Sequence, residues 1–264
     1  MVASLAAPQM ERTVDFEKED FPLYEVRMEK WGGFVWINLN PKAEPLRKYL
    51  GDLPEKFDKY STESLQFFGT IGTYKVEANW KATVENANEC YHCPLVHPET
   101  IGPHYLEHIP LDNSKIHGPY TILYWENSTK GLPEGYRFES LPENLSGLTE
   151  EDKRRLYIVQ VFSNTQLYFS PDRVTTFQVW PDGPHRSLIT SQMYIQDFVD
   201  IDEEKRKAIE ESIKWNDFIN NQDIPLLEKQ QKGLDSGVFE GGRFSALEGP
   251  VFGFQRLVSQ ALSD

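Results

Sequence analysis

Residues 156–195 carry the sequence LYIVQVFSNTQLYFSPDRVTTFQVWPDGPHRSLITSQMYI, and this stretch decides the fold class. Four runs rich in β-branched and aromatic residues lie within it, at 156–162, 166–170, 175–180 and 187–195. They are separated by Ser-Asn-Thr, Pro-Asp-Arg and Pro-Asp-Gly-Pro, whose side chains and restricted backbone angles favour tight turns. Consecutive strands joined by short turns predict an antiparallel meander.

Strand and helix patterns flank this meander on both sides. Gly32 and Gly33 separate two strand-like runs and therefore predict a β-hairpin. The other predicted elements are two short helices within 45–60, a strand at 66–77, a helix from Asn79 to near Pro94, a long charged helix at 200–232 bent at Pro225, and a terminal helix at 251–262. Residues 99–151 contain scattered Gly and Pro and are predicted to form a long loop. Helices beside one antiparallel sheet predict the α+β class.

The composition excludes several classes of protein. The 41 acidic side chains exceed the 27 basic ones and give a net charge of −14, which argues against nucleic-acid or membrane-surface partners. No apolar stretch reaches the length of a membrane helix, and the apolar run at 2–7 lacks the basic flank of a signal peptide. Two cysteines are too few for a disulfide framework. These features predict a soluble protein in the reducing cytoplasm.

Potential metal ligands are concentrated in residues 89–97, ECYHCPLVH. A structural zinc site would use the two cysteines and two histidines, but zinc modules usually hold two ligand pairs on separate elements. A redox Cys-x-x-Cys pair is the second alternative, although such pairs normally open a helix rather than end one. The third alternative is an open iron site of two histidines and one carboxylate.

The iron alternative requires the helix to stop between its histidines. His92 and His97 are five residues apart, which places them about 140° apart on a continuous helix. Pro94 interrupts that helix and allows His97 to return toward His92. The carboxylate must come from elsewhere in the chain. Asp217 and Asp223 on the charged helix are both candidates, and the pattern alone does not choose between them.

Several of these motifs resemble one protein family. The motifs are Asn79-Trp80-Lys81, Glu85-Asn86, ECYHCP at 89–94 and His97-Pro98, with a second segment at 220–239. They resemble the iron-binding segments in the alpha subunits of Rieske-type, aromatic-ring-hydroxylating non-haem iron oxygenases. The resemblance implies Fe(II) ligated by His92, His97 and Asp223. It also implies a helix-grip (START-like) fold, with a mononuclear-iron catalytic domain at 21–264 after a poorly ordered segment at 1–20.

The same resemblance implies an activity. ECYHCP is most similar to the branch that oxidises quaternary ammonium compounds such as glycine betaine, stachydrine, carnitine or choline. It therefore implies that O2 is used for oxidative N-demethylation of such a small-molecule substrate, or else for aromatic ring hydroxylation. Glu89 resembles the catalytic carboxylate that bridges to a Rieske cluster in a neighbouring subunit. Asn86 is a further polar candidate near the ligands.

Other residues near the motif have simpler expected roles. Tyr91, Trp215 and Phe218 are expected in the core, with a cation–π cage around a trimethylammonium group as the alternative. The cysteines are expected to be small packing residues beside the iron helix. Three further histidines, which we interpret as loop residues, fall within 99–151: His104, His108 and His117.

The cysteine count also bears on the electron source. A Rieske 2Fe-2S cluster needs two cysteines and two histidines in separate pairs, whereas Cys90 and Cys93 lie together in the wrong pattern. We therefore expect the cluster to come from another chain or a missing domain, with a separate Rieske or reductase electron donor. The family further implies a homotrimer or related homo-oligomer. The competing hypothesis is a non-catalytic helix-grip ligand-binding domain or an inactive fragment.

Overall fold

An antiparallel six-stranded sheet forms the body of the protein. The structure is a computed structural model that describes residues 6–102, 118–126, 141–196 and 201–263. The strands are β1 (Arg27–Trp31), β2 (Phe34–Asn38), β3 (Gln66–Val76), β4 (Tyr120–Glu126), β5 (Arg155–Val161), β6 (Thr165–Phe169), β7 (Arg173–Pro181) and β8 (Ser187–Ile195). The main sheet has the order β3-β8-β7-β6-β5-β4, and β1 pairs separately with β2.

Six α-helices surround this sheet in the described part of the chain. They are α1 (Leu46–Leu50), α2 (Leu53–Phe57), α3 (Trp80–Asn86), α4 (Cys93–Val96), α5 (Glu203–Asp235) and α6 (Gly249–Ala261). None of the helices in the described ranges is both long enough and apolar enough to cross a membrane. The predicted α+β class, hairpin and meander are confirmed.

One predicted loop contains a strand. Residues 99–151 were expected to be a loop-rich stretch with no strand assigned to it, and this is wrong for β4, which pairs along its whole length with β5. Tyr120 and Leu123 of β4 are fully buried, so non-local pairing and burial override the scattered Gly and Pro around them. His104, His108 and His117 lie outside the described residues.

The long helix α5 is held against the sheet by apolar side chains near both of its ends. Ile209 belongs to a buried cluster with Ile71 and Met193 of the sheet. Leu227 belongs to another, with Tyr74 and Val179 among its members. Asp202 caps the start of α5, and Pro225 lies within the helix without ending it. A long helix packed on an antiparallel sheet is the predicted helix-grip arrangement, and the segment 209–227 spans the candidate site described below.

Candidate metal centre

The two motif histidines flank a single helical turn. Helix α3 begins after Asn79, whose side chain accepts a hydrogen bond from the Lys81 backbone N–H, and ends at Asn86 rather than near Pro94. Pro94 instead lies in the first turn of α4, where its missing N–H costs no helical hydrogen bond. His92 and His97 are the residues immediately before and after α4. Because they do not share one continuous helix, the 140° separation does not apply.

The histidines converge on a carboxylate from α5. Asp223 Oδ1 lies 3.2 Å from His92 Nε2 and 3.0 Å from His97 Nε2. The centroids of the two imidazole rings are 5.4 Å apart. Two imidazole nitrogens and one carboxylate oxygen therefore face a common point between α4 and α5.

The alternative carboxylate, Asp217, faces a different partner. It accepts a hydrogen bond from the hydroxyl of Tyr74 on β3. Asn216 Nδ2 donates to the same hydroxyl over 3.1 Å. The structure thus brings Asp223 to the histidines and directs Asp217 toward the sheet.

The second nitrogen of each imidazole is also engaged. His92 Nδ1 donates to Glu89 Oε1 over 2.5 Å, and His97 Nδ1 donates to Gln222 Oε1 over 2.8 Å. Since both oxygens are acceptors, these contacts place a proton on Nδ1 and leave the Nε2 lone pair for a metal. Glu89 makes its contact from the segment between α3 and α4, outside the helix predicted to run from Asn79 to near Pro94. Asn86 Nδ2 lies 3.3 Å from His92 Nε2, beside the same point.

The buried polar atoms here fit a divalent metal ion. His97 Nε2 and Asp223 Oδ1 are buried and have no hydrogen-bond partner within the described chain, although only 3.0 Å separates them. Two ligands at right angles, each about 2.1 Å from a first-row dication, have donor atoms about 3.0 Å apart. The observed spacing is thus that of adjacent ligands, and a cation between them would satisfy both atoms.

A cavity of about 270 Å³ opens onto these donor atoms. Its aromatic lining includes Trp125 of β4, Tyr168 of β6 and Trp215 of α5. Trp125 Nε1 is buried and without a partner among the described residues. Of the three aromatic residues proposed from sequence, Trp215 lines the cavity, whereas Tyr91 and Phe218 are 60% and 44% exposed.

Sequence reasoning missed Trp125 and Tyr168 because only sheet pairing brings β4 and β6 to the cavity. Nothing in the spacing of the motif residues pointed to either position.

Comparison with known proteins identifies the family. Residues 63–264, well over half of the chain, match the family model described as the ring hydroxylating alpha subunit catalytic domain. The chain belongs to this family. It is 25% identical over 263 residues to the glycine betaine monooxygenase oxygenase subunit of Chromohalobacter salexigens, covering 88% of this chain and 57% of that protein. It is 26% identical over 273 residues to the carnitine monooxygenase oxygenase subunit of Escherichia coli K12, covering 98% and 67%.

Solved structures support the fold of this ring-hydroxylating alpha subunit domain. A quaternary ammonium Rieske monooxygenase in complex with L-carnitine superposes with a TM-score of 0.70 at 21% identity, over 98% of this chain and 67% of the other. Naphthalene 1,2-dioxygenase from Rhodococcus sp. superposes with a TM-score of 0.66 at 19% identity, over 98% and 72%. The chain spans little more than half the length of the first of these curated relatives.

The two cysteines of this family member are joined to each other. Cys90 and Cys93 form a disulfide and are almost completely buried. Both belong to a buried hydrophobic cluster, as expected of small packing residues, but the bond between them was not predicted. Cys93 has a donor atom within 4.8 Å of those of His92 and His97, but a disulfide sulfur carries no thiolate for the zinc alternative. The pair also gives no support to the inference of a reducing compartment.

The charged groups of the site shift one another's pKa values. Burial lowers the pKa of His92, but the adjacent carboxylates of Asp223 and Glu89 outweigh burial and raise the pKa to about 9. Burial raises the pKa of Asp223, yet the adjacent imidazoles of His92 and His97 hold it below its ordinary value. A proton therefore occupies the site at neutral pH, and an incoming metal ion must displace it.

This coupling predicts the pH dependence of stability without metal. Because the pKa of His92 is higher in the folded protein than its ordinary value of 6.5, protonation of His92 stabilises the fold. This stabilisation is complete below pH 6.5 and is lost as the pH rises through about 9. We expect the free energy of unfolding, measured with urea in the presence of a chelator, to fall between these pH values by at most about 3 kcal/mol. His92→Gln should reduce this decrease in the free energy of unfolding with pH. His185→Gln, at an exposed histidine, should leave the decrease unchanged. An unchanged slope in His92→Gln would contradict this coupling.

Removal of the Cys90–Cys93 disulfide should lower the stability of the fold independently of the site's charges. It closes a loop of only four residues, for which loop entropy gives about 2 kcal/mol. We expect the Cys90→Ala/Cys93→Ala variant to unfold at lower urea concentration than the wild type under non-reducing conditions. Reductant should destabilise the wild type and leave the variant unchanged. Alkylation of both thiols in unreduced, unfolded wild type would show that the bond is absent.

Proposed function

We propose that this chain is the catalytic domain of a non-haem iron oxygenase, with Fe(II) bound by His92, His97 and Asp223. The observation that carries the proposal is that the Nε2 atoms of both histidines lie 3.2 and 3.0 Å from one oxygen of the Asp223 carboxylate, on a cavity wall. Two histidines and one carboxylate on one face are the ligand set of iron oxygenases with open coordination positions. The proposed iron domain is 21–264, after an N-terminal segment at 1–20.

The residues of the chain have distinct tasks in this function. Bound ferrous iron supplies O2 activation and oxygen transfer to a C–H bond or an aromatic ring. Glu89 and Gln222 hold the imidazoles with their Nε2 lone pairs directed at the site. The Asp223 carboxylate offsets part of the metal charge, and the apolar cavity wall positions the substrate and limits the access of water.

Glu89 is proposed to bridge His92 to a histidine of a neighbouring Rieske cluster and so to give electrons a short path into the site, by analogy with its family counterpart. One carboxylate oxygen holds His92 Nδ1, and the other accepts a hydrogen bond from the Tyr91 backbone N–H. Its side chain keeps 13% of its area exposed, so a histidine on another subunit can approach it. One carnitine-oxidising relative of known structure is described in terms of inter-subunit electron transfer.

The electron donor is proposed to lie outside this chain. A Rieske 2Fe-2S cluster needs two cysteine thiolates, and the only two cysteines here are joined to each other. A cluster on another polypeptide, or on a region of the protein beyond this chain, would supply electrons from a reductase. Assembly as a homotrimer or related homo-oligomer would bring Glu89 next to a neighbouring cluster.

The proposed substrate is a small quaternary ammonium compound. Two of the relatives are named for glycine betaine and carnitine, both of which join a trimethylammonium group to a carboxylate. Trp125, Trp215 and Tyr168 supply aromatic faces suited to the cation. Lys153 and Arg173 also line the cavity, where each is paired with a neighbouring carboxylate, that of Glu150 and that of Asp172 respectively. Hydroxylation of an N-methyl carbon would then release formaldehyde.

Two alternatives remain distinct from this proposal. The first alternative is ring hydroxylation, which is consistent with the family description and with the superposition on naphthalene dioxygenase. A non-catalytic helix-grip domain would need a cavity but no convergent set of three metal-binding atoms. The observed convergence therefore favours an enzyme over a binding domain.

Iron content tests the ligand assignment. After anaerobic reconstitution with Fe(II), we expect about one iron per chain in the wild type and near-background iron in Asp223→Ala. Asp217→Ala is the matched control on the same helix and should retain iron, because that carboxylate pairs with Tyr74. Equal iron loss in both variants, or iron retained in Asp223→Ala, would overturn the assignment. Iron absent from the folded wild type would overturn the enzyme proposal.

Product analysis tests the substrate class. With a reductase and a Rieske protein supplied, we expect oxygen uptake with a trimethylammonium carboxylate to release one formaldehyde per O2 consumed. Oxygen uptake with arenes alone would transfer the assignment to ring hydroxylation. An iron-loaded protein that accepts electrons from the Rieske protein but consumes oxygen with neither substrate would favour the binding-domain alternative.

A further inference from the structure

Two consecutive residues of α5 engage both nitrogens of the His97 ring. Gln222 Oε1 lies 2.8 Å from Nδ1, and Asp223 Oδ1 lies 3.0 Å from Nε2. Adjacent residues on a helix point about 100° apart, so their side chains can reach around opposite edges of one ring. Helix α5 therefore holds the imidazole between an amide and a carboxylate.

The environment of His97 makes the amide contact consequential. The His97 side chain is only 1% exposed, so water is not available to replace a lost acceptor. Within the described chain, Gln222 is the only hydrogen-bond partner of this ring. Without an acceptor at Nδ1, the neutral imidazole would be more stable with its proton on Nε2, where the Asp223 carboxylate can accept a hydrogen bond from it. That tautomer directs a proton at the position where the metal would bind.

The two histidines have partners of different charge. His92 Nδ1 is bonded to the carboxylate of Glu89, whereas His97 Nδ1 is bonded to the neutral amide of Gln222. A carboxylate partner makes an imidazole a stronger electron donor to a metal than an amide partner does. The amide thus fixes the orientation of His97 without adding a second negative charge behind the site.

We propose that Gln222 is a positioning residue that fixes the tautomer and orientation of His97, and so sets the affinity and ligand field of the metal centre. The inference rests on the proposed function, because it assumes that the site binds ferrous iron. It concerns a residue that does not itself touch the metal or the substrate. It is therefore separable from the ligand assignment.

The test compares iron binding and spectra among variants of Gln222. Gln222→Met keeps a similar side-chain volume and removes the acceptor. We expect it to raise the Fe(II) dissociation constant about 10- to 100-fold. Gln222→Glu retains an acceptor and should bind within about threefold of wild type, with the EPR spectrum of its ferrous nitrosyl adduct shifted by the added charge. Gln222→Ala provides a second acceptor-free variant if Gln222→Met folds poorly.

The matched control is the neighbouring amide. Asn221 is exposed and donates to the backbone carbonyl of Asp217, one turn earlier on the same helix. Asn221→Ala should therefore leave both the affinity and the nitrosyl spectrum unchanged. If the wild type binds iron and either folded acceptor-free variant matches it in affinity and spectrum, the proposal fails. If the wild type binds no iron, the proposed function is wrong, and this inference, which depends on it, is wrong as well.

Discussion

The contact of one carboxylate with two imidazoles is the constraint on which the rest of this structure depends. Asp223 must reach His92 and His97 together, so α5 has to lie directly over the turn that contains α4. Burying charged groups is costly unless they are paired, and here each one is paired. The apolar contacts of Ile209 and Leu227 fix α5 on the sheet on either side of the site, and they make this approach possible.

The same contact links the chemistry of the site to folding. Burial disfavours the charged forms of both His92 and Asp223, but their mutual attraction outweighs it, so the pKa of His92 is raised to about 9, that of Asp223 is lowered, and His92 carries a proton at neutral pH. A bound dication would take the place of that proton and satisfy the buried atoms that have no hydrogen-bond partner among the described residues. Metal binding would thus release a proton and replace its single positive charge with the two charges of the dication.

More of the fold than of the site could be predicted from the sequence. Turn chemistry at 163–165, 171–173 and 181–184 is local, and so the meander could be predicted from its own residues. The end of α3 at Asn86, the pairing of β4 with β5 and the Cys90–Cys93 disulfide depend on tertiary contacts, and all three were missed. The choice of Asp223 over Asp217 came from family resemblance, because helix periodicity alone left both open.

The two sides of the histidine pair are unlike, and this difference suits the proposed function. Behind His92 lies Glu89, a charged group with partial exposure, which suits the entry of electrons from a partner. In front of both rings lies a cavity with largely apolar and aromatic walls, which suits a small organic cation and limits the access of water. Behind His97, which is almost completely buried, the neutral amide of Gln222 takes the place of a carboxylate. In the proposed function, electrons would therefore enter beside Glu89 while the substrate would lie against the aromatic walls of the cavity.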